Sequence, residues 1–213
     1  MQPTRVISFG CSFTWGDEID GENQCVHSEN SYAGLIAQHF SVPYLCLAIP
    51  GIGNDAIERM VTEYLMQDKQ TGDIVVIGWS ALTRREYIWR NSYRYLIANM
   101  KHNQMYQEFH DQIMSEAEWD LLDREYYQTV FRTQSILAYF GVTNIMVNCL
   151  VGPKNLNGLD ISCMDFYSWV LKTEHPLGKG RHPLGEAHRA YSKLVLTALY
   201  EKYPLMTRSS NHQ

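Results

Sequence analysis

One hydroxyl near the amino end and two imidazoles near the carboxyl end are the side chains whose types and settings suit joint chemistry. The hydroxyl is Ser12, in Phe9-Gly10-Cys11-Ser12-Phe13-Thr14-Trp15-Gly16, just past a strand-like run and a glycine. The imidazoles are His182 and His188, in Gly180-Arg181-His182-Pro183-Leu184-Gly185-Glu186-Ala187-His188. A serine hydroxyl is a weak nucleophile until a base takes its proton, so such a set serves acyl transfer if folding brings hydroxyl and imidazole within hydrogen-bond reach. Taken alone, Ser12 is more often a helix cap or turn residue, His182 a loop residue before a proline, and His188 a cap-region histidine of the last helix. Cys11 has no identifiable activating partner and reads as a small buried thiol.

The elements that must position these groups alternate. Arg5–Phe9 is a short β-branched run that stops at Gly10 and reads as the first strand. A helix is expected over Asn30–Phe40, with Tyr32, Leu35, Ile36 and His39 at helical spacing and Asn or Ser as its start signal. Tyr44–Ala48 is the next apolar run, ended by Ile49-Pro50-Gly51-Ile52-Gly53, after which Asn54 or Asp55 caps a helix through Leu65. Asp73–Gly78 suits a central strand buried on both faces, Asn144–Leu150 is a fourth run closed by Val151-Gly152-Pro153, and a final helix runs from about Gly185 to Tyr200. Residues 85–140 read as a helical insertion or cap, for want of Pro or Gly before Gly141. The pattern is that of one α/β domain over residues 1–213, a three-layer α/β/α arrangement around a parallel sheet, with ligands expected beyond the carboxyl ends of its strands.

Composition narrows the function classes. With 45% apolar and 19% charged residues the 213-residue chain belongs among folded globular proteins. Its 18 Lys and Arg against 23 Asp and Glu give a formal charge of -5, which disfavours nucleic acid as a partner. The opening MQPTRVISFG has no signal-peptide layout and no stretch approaches a membrane span, so no membrane association is expected. Five cysteines without a CxxC pair (Cys11, Cys25, Cys46, Cys149, Cys163) suit reduced thiols in a cytoplasmic protein and offer no zinc spacing. The Pro50-to-Asp55 turn fits neither a P-loop nor a dinucleotide fingerprint, and Arg84-Arg85-Glu86 reads as a solvated helix start before it reads as an anion site.

In order and distance, the run SFGCSFTWG resembles the first block of the SGNH (GDSL-like) hydrolases and RHPLGEAH resembles the last, while LAIPGIGNDAI is similar to the second and Gly78-Trp79-Ser80 falls on the third. The resemblance implies an SGNH or flavodoxin-like fold and a serine esterase without cofactor or metal, acting on small acyl esters, carbohydrate-linked ones among them. It implies Ser12 as nucleophile, His182 rather than His188 as general base, and an oxyanion hole from the N–H groups of Ser12 and of Gly51 or Gly53, with Ser80 and Asn54 as side-chain candidates. Cys11 stands where the family has Asp, Ser80 where it has Asn, and Lys179 where the orienting Asp belongs. Glu174, Asp165 or a backbone carbonyl are the replacements to consider for that Asp. An SGNH-fold protein that binds without catalysing is the alternative.

Overall fold

The computed structural model describes residues 2–21, 26–89, 92–96, 119–150, 159–161 and 164–206. Four parallel strands form one sheet in the order β2-β1-β3-β6: β1 is Arg5–Gly10, β2 Tyr44–Cys46, β3 Asp73–Trp79 and β6 Thr143–Asn148. All seven residues of β3 and all six of β6 are buried, as strands covered by helices on both faces require. The register pairs Gly10 with Gly78 and Trp79 with Asn148, so the ends of β1, β3 and β6 stop at one level and their following loops share a rim.

Helices α2 (Tyr32–Phe40) and α6 (Gly185–Lys202) pack together on one side of the sheet, and α3 (Asn54–Gln67) with α4 (Trp119–Tyr139) on the other. The short helices α1 (Ser12–Trp15) and α5 (Phe166–Lys172) lie at the rim, where Phe13 meets Phe166 edge-on at 5.8 Å between ring centres. Ser31 caps α2 by accepting the Gly34 N–H. Helix α3 is capped by Gly53 and not by Asn54 or Asp55, because both of those side chains bond elsewhere across the rim.

Gly78 is required by close approach. A Cβ there would lie 2.2 Å from Thr14 Oγ1, 2.5 Å from the Tyr32 hydroxyl and 2.6 Å from Cys149 Sγ. Thr14 and Tyr32 bond each other at 2.9 Å in the space that the glycine leaves, which seats α1 directly on the end of β3.

The expected helical insertion is corrected at its start. Arg85–Trp89 (β4) and Ser92–Leu96 (β5) form an antiparallel hairpin, pairing Arg85 with Leu96 and Trp89 with Ser92. Tyr, Ile and Trp favour a strand, and their density in the two five-residue runs outweighs the missing Gly and Pro. Helix α4 supplies the helical part, while Cys25, Cys163 and the Val151-Gly152-Pro153 turn lie outside the described residues. The described thiols Cys11, Cys46 and Cys149 are free. None of the described helices is long and apolar enough to cross a membrane, and no three described His, Cys, Asp or Glu side chains are grouped for a metal ion.

Candidate active site

The chain leaves β1 through Cys11, whose extended backbone caps α1, and Gly16 at φ +82 turns it back after a single helical turn. Ser12 therefore opens a helix, so its N–H has no partner within α1. Its side chain meets the imidazole expected as its partner: Ser12 Oγ lies 2.9 Å from His182 Nε2. Cys11 turns into the protein, fully buried, where a hydrogen bond with Cys149 pulls its thiol below the ordinary value.

His182 is held by a tight loop. Leu177 and Pro183 bridge its ends, the Gly178 N–H donates to the His182 carbonyl at 2.8 Å, and Arg181 turns the chain at φ +67. The imidazole rests against Phe13, 5.5 Å between ring centres. A second tie, from the Gly185 N–H to the Ile19 carbonyl at 2.9 Å, fastens this loop to the first one.

The acid that faces the far nitrogen is Glu18, six residues after Ser12. Its Oε2 is 3.0 Å from His182 Nδ1, and its two oxygens accept the Gly180 N–H at 2.7 and 2.8 Å. Backbone and side chain agree on this placement: Glu18 adopts φ +57, which folds the carboxylate back, and Gly180 leaves it room, since a Cβ there would lie 2.8 Å from Oε2. Burial works to raise the Glu18 carboxyl, but the Gly180 N–H and then the His182 imidazole and N–H outweigh it and hold the group below the ordinary carboxylate value. An ionised carboxylate only accepts, so the proton of the neutral imidazole sits on Nδ1 and the Nε2 lone pair faces the Ser12 hydroxyl.

Glu18 replaces each acid named from the sequence. Asp165 instead caps α5, accepting the Ser168 N–H at 2.8 Å, Glu174 is exposed, and with a carboxylate on Nδ1 no backbone carbonyl is needed. Lys179, where the family's Asp would stand, points to solvent. The signal that marks Glu18 is faint: an acid on the same loop as Ser12, matched by two glycines beside a distant histidine. Its neighbour Asp17 accepts the Glu18 N–H through Oδ1, and its Oδ2 lies 3.9 Å from His182 Nε2.

The remaining candidates sit on the same rim. Gly51, at φ +81, and Gly53 lie in the β2–α3 connection, which the Ile49 N–H fastens to the Gly10 carbonyl at 2.8 Å. Asn54 and Ser80 are brought together as a clamp: the Ser80 N–H donates to Asn54 Oδ1 at 2.7 Å and Asn54 Nδ2 donates to the Ser80 carbonyl at 3.1 Å. One of the two Asn54 amide hydrogens is thereby used. The Ser80 hydroxyl accepts from Arg84 Nη1 at 3.0 Å and is turned to the Cys11 thiol, with Ser80 and Cys11 both fully buried.

His188 belongs to the core. It is fully buried, stacks on Tyr32 at an interplanar angle of 8°, and accepts the Tyr32 N–H on Nδ1 at 3.0 Å. Burial pushes its imidazole down to about 3. A base whose folded pKa is depressed stabilises the fold above its unfolded value, near 6.5, and that contribution is lost as pH falls toward 3. Melting temperature should thus drop with acidification across this window, by on the order of a few kcal/mol in stability, and His188→Gln should flatten the slope. An unchanged slope would contradict the assignment.

An apolar hollow of about 740 Å³ beside Ala138, Val142, Tyr203 and Leu205 opens at the amino end of β6, the end of the sheet away from Ser12. Neither Ser12 nor His182 lines it.

No protein-family model matches the chain, and no curated protein sequence does. Solved structures do match. The acetyl xylan esterase Est2A from the rumen bacterium Butyrivibrio proteoclasticus superposes with a TM-score of 0.52 at 12% identity, over 96% of this chain and 65% of that one. This chain therefore spans about two thirds of that protein's length. The psychrotrophic esterase EstA from Pseudoalteromonas sp. gives 0.51 at 11% identity, over 94% and 99% of the two chains. A member of the lipolytic protein G-D-S-L family from Veillonella parvula DSM 2008 gives 0.51 at 11%, over 95% and 100%. Identities this low speak for architecture alone. In architecture, the chain is an SGNH, or GDSL-like, hydrolase fold.

Proposed function

We propose that this protein is a serine esterase that cleaves acyl esters, carbohydrate-linked ones among them, through an acyl-enzyme on Ser12. The observation that carries the reading is the unbroken chain from Ser12 Oγ to His182 Nε2 at 2.9 Å and from His182 Nδ1 to Glu18 at 3.0 Å. It also answers the main ground for a binding protein without catalysis, since the family's missing acid has a substitute. The fold shared with esterases supports the choice of ester over other acyl bonds.

In this reading Ser12 Oγ attacks the carbonyl carbon while its proton passes to Nε2, and Glu18 stabilises the imidazolium that forms. The negative charge on the former carbonyl oxygen faces the N–H groups of Ser12 and of Gly51 or Gly53 and the second hydrogen of the Asn54 amide, while Ser80, whose hydroxyl is taken up inside the protein, holds that amide in place. Loss of one such donor typically costs roughly 100- to 1,000-fold in rate. Collapse of the intermediate returns the proton from Nε2 to the departing alkoxide and leaves the acyl group on Ser12.

A fluorophosphonate probe tests the assignment. The folded protein should be labelled, and Ser12→Ala should remove the label and the hydrolysis of p-nitrophenyl acetate together. Absence of labelling in folded wild-type protein would favour the binding-protein alternative.

A further inference from the structure

We propose that Asp17 and His182 together hold the water that releases the acyl group, so that Asp17 acts in deacylation and not in acylation. The inference rests on the serine-esterase reading. Its basis is the position of Asp17 Oδ2, 3.9 Å from His182 Nε2, whereas Glu18 meets the other ring nitrogen, Nδ1. That separation is too long for a direct hydrogen bond and leaves Nε2 to Ser12 in the resting protein. Once Ser12 Oγ is esterified it has no proton to donate, and the Nε2 lone pair is open to water. A water at hydrogen-bond distance, about 2.8 Å from both atoms, would subtend roughly 90° at its oxygen, close to the angle between its two O–H bonds. One hydrogen would point at Nε2 and the other at Asp17.

Access and anchoring agree with this role. The Asp17 side chain is 17% exposed against 4% for Glu18, so solvent reaches the first carboxylate and not the second. Its other oxygen is fixed by the Glu18 N–H at 3.1 Å, which holds the carboxylate in place before any water arrives. The two adjacent acids thus divide the imidazole between them: Glu18 sets the tautomer from the Nδ1 side, and Asp17 orients what approaches Nε2.

The step balances without a further reactant. The water oxygen attacks the acyl carbon as its first proton moves to Nε2. The bond from the acyl carbon to Ser12 Oγ then breaks, and Oγ takes that proton back. The product is a carboxylic acid carrying the water's oxygen, and Asp17 accepts a hydrogen bond throughout without being protonated.

Stopped-flow hydrolysis of p-nitrophenyl acetate by the full chain separates the two half-reactions. Asp17→Asn keeps an oxygen for the Glu18 N–H, and should slow deacylation roughly 10- to 100-fold while changing the acylation rate constant less than about threefold. Nitrophenol should then appear as a burst of one equivalent per enzyme, with acetylated Ser12 visible in the intact mass. Hydroxylamine, a nucleophile that does not need a base, should restore turnover in the variant. Equal losses in both steps, or wild-type deacylation in Asp17→Asn, would overturn the role of Asp17. Wild-type protein that never carries an acetyl group on Ser12 would instead remove the esterase reading underneath it.

Discussion

Glu18→Gln should lower kcat by about 10³- to 10⁴-fold with little change in KM, the size of effect seen when an orienting carboxylate becomes an amide. The amide must offer its oxygen to the donors that the carboxylate now satisfies, the N–H groups of Gly180 and His182. Its oxygen can keep the place of Oε2, which meets both Nδ1 and the His182 N–H, but its NH₂ then opposes the Gly180 N–H, and the imidazolium that forms as Nε2 takes the Ser12 proton has lost its negative partner. Fold and ground-state binding survive, because the change swaps one atom type in a site still lined by the same backbone. Steady-state kinetics on the purified variant check this, and a loss below tenfold in folded protein would remove Glu18 from the machinery.

His182→Ala should reduce ester turnover by about 10⁴- to 10⁶-fold, and Ser12→Ala/His182→Ala should be no worse than either single change. The two groups act as a unit: a hydroxyl without its base is as inert as a base without its hydroxyl. His182 lies on a rim loop apart from the sheet, and the backbone N–H groups that hold Glu18 remain, so melting temperature should change little. Additive losses in the double variant would show that the two residues serve separate events, contrary to the 2.9 Å bond between them.

Much of this arrangement is legible in the chain. The four sheet strands are apolar runs ended by turn residues, and burial on both faces makes their signal strong, as β3 shows with every residue buried. Ser12 and His182 are legible because each sits in a block of residues with a known order and spacing. Glu18 is not, because its role depends on a left-handed backbone angle and on contact with Gly180, 162 positions away. Asn54 reads as a helix cap because Asn after a glycine usually is one, whereas here tertiary contact with the Ser80 backbone claims both ends of its amide. The β4–β5 hairpin is missed for a different reason: charged and aromatic residues without Gly or Pro look helical until the strand preference of Tyr, Ile and Trp is weighed.

Of the three groups in the proposed proton relay, two arise within the first eighteen residues, and the third is 164 positions beyond its carboxylate partner. During synthesis the amino-terminal loop can emerge and fold onto β1 with its nucleophile still unassisted. In the esterase reading, the serine would stay unactivated until His182 has been made and has folded back beside Glu18, by which point all four strands of the sheet have been synthesised.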